Sequence, residues 1–136
     1  MAANYVVLDQ QPTVEFLGGS LTRPVMNVSY RTLPHNVYFE ARIPQKAYSA
    51  AEVDATGKVD AAPLEALFTI PNVVDVQWTQ TQRLDGTLLD QIVIGFTSST
   101  GQGGNTVTVP WTGLTKAAVA ALVKAGVEQL DDAEAL

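Results

Sequence analysis

The sequence predicts an α+β fold: an antiparallel sheet of two β-hairpins plus a further strand, packed by a central helical segment and a C-terminal helix. Three observations support this prediction. Two segments alternate apolar and polar residues around a turn, a central segment has a helical cap, and an alanine-rich helical pattern lies near the end. A chain of 136 residues fits one domain, so we expect residues 1–136 to form a single domain.

The clearest hairpin occupies residues 72–98, around the turn Leu84-Asp85-Gly86. A three-residue turn with Gly86 in the left-handed conformation places the apolar residues of both strands on one face. A two-residue turn would place them opposite polar residues, because a slip of one residue reverses the faces of a strand. The predicted pairs are Trp78 with Ile92, Val76 with Ile94, and Val74 with Phe96.

A second hairpin is predicted for residues 24–44. Both of its strands alternate apolar and polar residues. A connection with an even number of unpaired residues, such as Pro34-His35, brings the two apolar rows to the same face. The predicted pairs are Tyr30 with Phe39, Val28 with Ala41, and Met26 with Ile43.

The N-terminal residues 1–17 are predicted to form a strand or an arm. Apolar runs at 5–8 and 13–17 are separated by Gln10-Gln11-Pro12, so two short strands and one extended arm both fit the pattern. The following Gly18-Gly19-Ser20 predicts a turn.

The central residues 49–70 favour helix. Ser49 followed by Glu52 is typical of a capping box, and apolar residues recur at helical spacing in the second half of the segment. Gly57 is predicted to divide the segment into two short helices, and Pro71 to end the second one.

The last strand is predicted at residues 106–111 and the C-terminal helix at residues 114–125. Thr112 is the expected N-cap and Gly126 the expected C-terminal stop. We expect the acidic residues 127–136 to form a further helical turn or a loose tail. The predicted buried stripe of the helix consists of Leu114, Ala118, Ala121, Leu122 and Ala125.

Composition and charge narrow the function classes. With 46% hydrophobic and 16% charged residues, the chain is expected to fold, and a surface poor in charge suits a protein partly covered by neighbours. Eight Lys and Arg residues are spread singly through a chain of net charge −6, which argues against nucleic-acid and membrane-surface binding. The sequence has no secretory-signal pattern and no apolar run near the roughly 20 residues that span a bilayer.

The residues of usual catalytic and metal sites are missing or isolated, and we expect neither enzymatic activity nor a cofactor. His35 is the only histidine and lies in a turn beside proline, and there is no cysteine. Asp85 and Asp90 flank a hairpin tip, where Asp-Gly is favoured for backbone reasons alone. The glycine-rich residues 101–104 lack the lysine of a phosphate-binding loop, and a strand rather than a helix follows them.

Seven residues are candidates for contacts with other proteins. A tryptophan packs in a core more often than it anchors an interface, and both roles are more frequent than ligand stacking. The polar residues 99–105 are expected to form a mobile surface loop that orders on a partner. The interface candidates are Tyr5, Phe16, Tyr38, Trp78, Gln102, Asn105 and Trp111.

Two short segments and the sheet composition carry a family resemblance. They are residues 34–44 (Pro-His-Asn-Val-Tyr-Phe-Glu-Ala-Arg-Ile-Pro), the strand start Pro71-Asn72-Val73-Val74, and strands rich in Thr, Gln and Gly. With these features the chain resembles small virion proteins of tailed bacteriophages, namely the minor tail and head–tail proteins of phages that infect actinobacteria. The resemblance implies a non-enzymatic building block in a virion assembled in the host cytoplasm.

As partners, the resemblance implies other virion proteins and further copies of the chain, arranged in a ring or shell. A tail or head–tail position is favoured over capsid decoration. The alternative from another class is a small-ligand-binding module or undescribed enzyme, with a pocket between the sheet and the predicted helix 114–125.

Overall fold

The computed structural model describes residues 3–136 and consists of two consecutive βββα units. In the first unit, β1 (Tyr5–Gly18), β2 (Leu21–Thr32) and β3 (Tyr38–Pro44) precede α1 (Ala50–Ala66). In the second unit, β4 (Val73–Gln82), β5 (Leu88–Thr97) and β6 (Gly104–Pro110) precede α2 (Lys116–Glu134). Short 3-10 turns at Gln45–Ala47 and Leu67–Thr69 lie before and after α1. The predicted α+β class is confirmed.

Each unit has its own antiparallel sheet, where the sequence suggested one sheet. The strand orders are β1-β2-β3 and β4-β5-β6. Helix α1 packs against β1 and β2, and α2 packs against β5 and β6. The tandem order is invisible as a sequence repeat, because the first two strands and the helix of each unit differ in length from their counterparts and the strands differ in residue type.

One apolar core joins the two units. It contains Tyr30 and Phe39 from the first sheet, Ile94 from the second sheet, Leu64 from α1 and Val123 from α2. The rings of Tyr30 and Phe39 stack with their centroids 4.8 Å apart. Burial of these side chains therefore couples the folding of both units.

The register predicted for the hairpin at residues 24–44, now β2 and β3, is confirmed, with all three of its predicted pairs in place. The N-terminal segment is a strand, one of the two predicted alternatives, and it is one strand rather than two: β1 pairs with β2 along its whole length, with register shifts between Val7 and Asp9 and between Phe16 and Gly18. Pro12 lies inside β1, which an edge strand tolerates because the missing N–H can face away from the sheet. The turn to β2 contains Gly18 and Gly19 at φ +108° and +59°.

The hairpin at residues 72–98, now β4 and β5, has the predicted three-residue turn, with Gly86 at φ +87°. Trp78 pairs with Ile92 and Val76 pairs with Ile94, as predicted. The predicted pair of Val74 with Phe96 is wrong: Phe96 lies opposite Val73, and a bulge between Val73 and Asp75 leaves Val74 exposed. A bulge adds one unpaired residue, and alternation alone does not reveal it.

Helix α1 runs without interruption through Gly57, contrary to the prediction of two short helices. The backbone of Gly57 lies against two rings: an added Cβ would lie 2.8 Å from Tyr30 and 2.9 Å from Tyr5. Glycine is therefore required by close packing and not by a break in the helix. The predicted cap is present, since the Ser49 hydroxyl accepts the backbone N–H of Glu52 at 3.1 Å.

Helix α2 begins and ends later than predicted. Thr115, not Thr112, is the N-cap, and its hydroxyl accepts the backbone N–H of Ala118 at 3.2 Å. Gly126 lies inside the helix, beneath the ring of Phe96. The acidic residues that followed the predicted stop form the last turns of the same helix.

The buried face of α2 also differs from the predicted stripe. Val119 and Val123 are the fully buried residues of this helix, with Val127 and Leu130 packed beside them. Leu114 is packed against the core, but the rest of the predicted stripe faces solvent: Ala118, Ala121, Leu122 and Ala125.

The segment predicted as a mobile loop is a tight β5–β6 turn hydrogen-bonded to α2. Ser99 donates its backbone N–H and its hydroxyl to Asp131, at 2.9 and 2.6 Å. The Ser98 hydroxyl donates to Glu134 at 2.6 Å. The hydrogen bonds from Ser99 lower the pKa of Asp131. The acidic end of the chain thus fastens this turn.

Candidate interaction surface

The β1–β2 hairpin extends beyond the third strand of its sheet. Strand β3 reaches only as far as Pro44, opposite Val25. The pairing of β1 with β2 continues from Val14, opposite Pro24, to Gly18, opposite Leu21. Residues 14–24 therefore form a two-stranded extension, called the ribbon below.

Large apolar side chains of the ribbon are exposed. Val14, Phe16 and Leu17 are each about half exposed, and Leu21 is 66% exposed. Single exposed apolar residues are normal on a protein surface, but a contiguous group of them marks a contact site. The ribbon carries four of them close together in sequence, which makes it a candidate contact site.

The turn between β4 and β5 lies beside the ribbon. An added Cβ on Gly86 would lie 3.4 Å from the Phe16 side chain, so Phe16 packs directly over this turn. Leu84, at the tip of the turn, is fully exposed. Together, residues 14–24 and 83–87 form one end of the molecule, called the hairpin end below.

Arg42 connects the ribbon to both sheets. Its Nε donates to Glu15 of β1 and its Nη2 donates to Asp90 of β5, both at 2.8 Å. Arg23 donates to the other oxygen of Glu15 at 2.7 Å. Burial would lower the pKa of Arg42, but the hydrogen bonds to Asp90 and Glu15 outweigh it and raise that pKa. These ion pairs hold the base of the ribbon in place.

A cleft of about 290 Å³ lies beside this ion-pair network. It is lined by Glu40, Arg42, Asp60 and Trp111, among others. Burial raises the pKa of Asp60. The Nη1 atom of Arg42 is buried and has no hydrogen-bond partner among residues 3–136. The cleft is thus rich in carboxylates around one cation.

His35 is held in its turn by Glu65 of α1. Its Nδ1 lies 2.6 Å from one Glu65 oxygen, and the other oxygen accepts the hydroxyl of Thr32 at 2.6 Å. The imidazole stacks on Phe68 with the ring centroids 3.8 Å apart. Burial would raise the pKa of Glu65, but the hydrogen bonds from His35 and Thr32 outweigh it and lower that pKa. Glu65 thus joins the turn that contains His35 to helix α1.

A second cleft, of about 510 Å³, lies beside His35 between β3 and β4. Tyr38 and Trp78 meet in it edge to face, with ring centroids 6.1 Å apart. The indole N–H of Trp78 is buried without a partner in the described residues. The Tyr38 hydroxyl donates to Glu40 at 2.8 Å.

A groove of about 360 Å³ runs along α2 at the far end of the molecule from the ribbon. It is called the α2 groove below. The last residues before β4 form one wall and α2 forms the other. Its lining includes Ile70, Pro71, Val123, Val127, Glu128 and Asp131. Its floor is therefore apolar and part of its rim is acidic.

The seven interface candidates occupy different environments. Phe16 and Tyr38 are 47% and 43% exposed, and Gln102 and Asn105 are exposed at the β5–β6 turn. Trp78 and Trp111 are partly buried against the core. Tyr5 packs on Tyr30 and hydrogen-bonds to Asp54, which raises the pKa of Tyr5. Phe16 is the one candidate that the structure places on the hairpin end.

Sequence reasoning missed the rest of that surface. Leu17 and Leu21 flank the Gly18-Gly19 turn, and Leu84 precedes Asp85-Gly86. Leucine is unusual beside such turns, where polar residues are favoured, so apolar residues next to turn glycines were an available signal. The partners of Arg42 left no comparable signal, because they come from distant strands.

No protein-family model, curated protein or solved structure matches this chain. No helix within residues 3–136 is both long and apolar enough to cross a membrane. In the same residues, no three His, Asp or Glu side chains are grouped as metal ligands would be.

Proposed function

We infer that the protein is a non-enzymatic structural subunit of a tailed-phage virion, at the tail or head–tail junction, acting through protein–protein contacts in a symmetric assembly. The observation that carries this proposal is the hairpin end, where exposed apolar side chains project beyond the three-stranded sheet. Capsid decoration is the less favoured position in the same virion.

The size of the surface supports a subunit that is covered in its working state. A compact monomer of 14.5 kDa exposes about 6,900 Å², whereas this chain exposes 7888 Å². The excess of about 1,000 Å² is close to what one partner loses in a standard protein interface. The ribbon contributes exposed apolar side chains to this surface.

The ribbon is also suited to protein–protein contact, because ion pairs fix its base. Arg42 joins Glu15 to Asp90 across the two sheets, so the exposed side chains are presented by a rigid strand pair. A preorganised contact surface loses less conformational entropy when a partner binds.

The test is size-exclusion chromatography with light scattering, on the chain alone and mixed with any portal, tail-tube or tape-measure proteins that neighbouring genes encode. We expect a complex of fixed stoichiometry with at least one of them. Leu21→Asp, on the exposed ribbon, should weaken that complex without changing the thermal unfolding of the free chain. Val59→Asp, at an exposed position of α1, is the matched control and should bind like the wild type.

A second candidate function is small-ligand binding, which the apolar α2 groove favours. Its volume of about 360 Å³ lies within the usual range of ligand pockets. A chain that binds none of the virion proteins, and whose NMR signals from Val123 and Val127 shift with a small metabolite, would establish this alternative and overturn the structural role.

A further inference from the structure

The hairpin end and the α2 groove lie at opposite ends of the molecule. Strand β5 begins at the turn that carries Leu84 and ends at the turn that Asp131 fastens. Its ten residues span about 33 Å. A surface at one end and a groove at the other cannot meet within one chain.

The two surfaces are complementary in polarity. Leu84 is a fully exposed apolar side chain at the tip of a turn, and the α2 groove has an apolar floor formed by Ile70, Val123 and Val127. Both partners would bury apolar surface in the contact, and neither can do so alone.

They are also complementary in charge. Arg83, next to Leu84, forms no ion pair within residues 3–136. Glu128, on the rim of the groove, has no ion pair in that part of the chain either, and Asp131 lies one turn further along α2. Lys124 also lines the groove, one helical turn before Glu128 on the same face of α2. Asp85, on the other side of Leu84, likewise has no ion pair within residues 3–136. Each surface thus carries a cation and a carboxylate without an ion pair, and each of these charges has an opposite charge on the other surface.

We propose that the Leu84 turn of one copy docks into the α2 groove of a second copy, so that the chains assemble head to tail with Arg83 facing Glu128. A contact between two different surfaces is heterologous, and it produces a ring where the rotation closes or a filament where it does not. The proposal rests on the proposed function and names one of its partners as the chain itself.

The test uses sedimentation velocity of the full chain at increasing concentration. The wild type should associate, and Leu84→Asp or Glu128→Lys should each raise the dissociation constant about tenfold or more. Both positions are exposed, so we expect the circular dichroism and thermal unfolding of these variants to match the wild type. Val59→Asp should associate like the wild type.

Mixing the two defective chains distinguishes head-to-tail contact from other modes. Leu84→Asp retains an intact groove and Glu128→Lys retains an intact Leu84, so an equimolar mixture should form a species of two chains and nothing larger. A contact between two hairpin ends would instead leave Glu128→Lys associated on its own, and adding Leu84→Asp to it would create no new complex. The double variant Arg83→Glu/Glu128→Lys, with both charges reversed, should recover association.

A mixture that stays monomeric, or a wild type that stays monomeric at every concentration, overturns the head-to-tail contact. If the wild type is monomeric at every concentration but forms complexes with virion proteins, the proposed structural role is still supported. A chain that neither self-associates nor binds virion proteins contradicts both proposals.

Discussion

At the scale of single residues, glycines mark the places where two elements come closest. An added Cβ on Gly126 would lie 2.3 Å from Cζ and 2.7 Å from Cε2 of Phe96. The ring is buried, so it has little room to move away. This glycine lets α2 lie directly on β5.

We therefore expect Gly126→Ala to destabilise the fold, although alanine is the better helix former by about 1 kcal/mol. Overpacking a core usually costs about 1–3 kcal/mol, and we expect the free energy of unfolding to decrease by an amount in that range. Urea denaturation measures it. Combining the change with Phe96→Leu should cost less than the sum of the two single changes, and an additive result would show that the two residues are not in contact.

Asp60 is a half-buried carboxyl that forms no ion pair within residues 3–136. Burial raises its pKa, so the folded state holds the proton more strongly than the unfolded state does. Stability linked to this group is therefore present below the unfolded pKa of about 3.9 and is lost as the pH rises through the folded pKa.

We expect Asp60→Asn to raise the melting temperature at pH 7 and to change it little at a pH below both pKa values. Thermal unfolding across the acid range measures this. Asp132→Asn, at an exposed position of α2, serves as the control for the loss of one negative charge. A stabilisation that is equal at every pH would contradict the proposed cause.

At the scale of elements, the start of α2 provides a matched pair of threonines. Thr115 caps the helix and Thr112 does not, although the two are close in sequence and both are exposed. Replacing an N-cap threonine with alanine costs about 0.5–2 kcal/mol. We expect that loss in the free energy of unfolding for Thr115→Ala and a negligible change for Thr112→Ala, as measured by chemical denaturation. Equal losses would place the helix start elsewhere.

The hairpin registers were predictable because their signals are local. Apolar alternation fixed the faces of the strands, and Gly86 together with the spacing of Trp78 and Ile92 fixed the turn length. The helix boundaries were not predictable in the same way, since Gly57 and Gly126 are explained by Tyr30 and Phe96, which are distant in sequence. A glycine that permits close packing has the same local appearance as a glycine that ends a helix.

The candidate site was predictable only in part. Phe16 was identified from its residue type, but the length of the ribbon depends on where β3 stops, and no local pattern near Phe16 records that. The buried face of α2 was misread because alanines repeat at helical spacing on the exposed side. Only the packing against β5 and β6 shows that the valines face inward.

At the scale of the whole molecule, Arg42 is the side chain that joins the sheets, and its removal tests that role. Its side chain and those of Glu15 and Asp90 are each about 15% exposed. We expect Arg42→Met to lower the free energy of unfolding by about 3–5 kcal/mol, because it leaves Asp90 without its cation and Glu15 with Arg23 alone.

The control for this prediction is Arg23, which contacts the same Glu15 but is 43% exposed. Exposed ion pairs contribute at most about 1 kcal/mol, so Arg23→Met should have a small effect. Guanidinium denaturation of both variants provides the comparison. Similar losses for the two arginines would show that Arg42 acts as a surface residue.

The tandem βββα architecture has a consequence for imaging any complex of this protein. Each polypeptide contributes two units of similar construction, one around each sheet. At low resolution, the two units of one polypeptide would resemble two subunits, and the rotational order of a closed complex would be overcounted. Native mass spectrometry, which weighs the particle, is the appropriate way to count its chains.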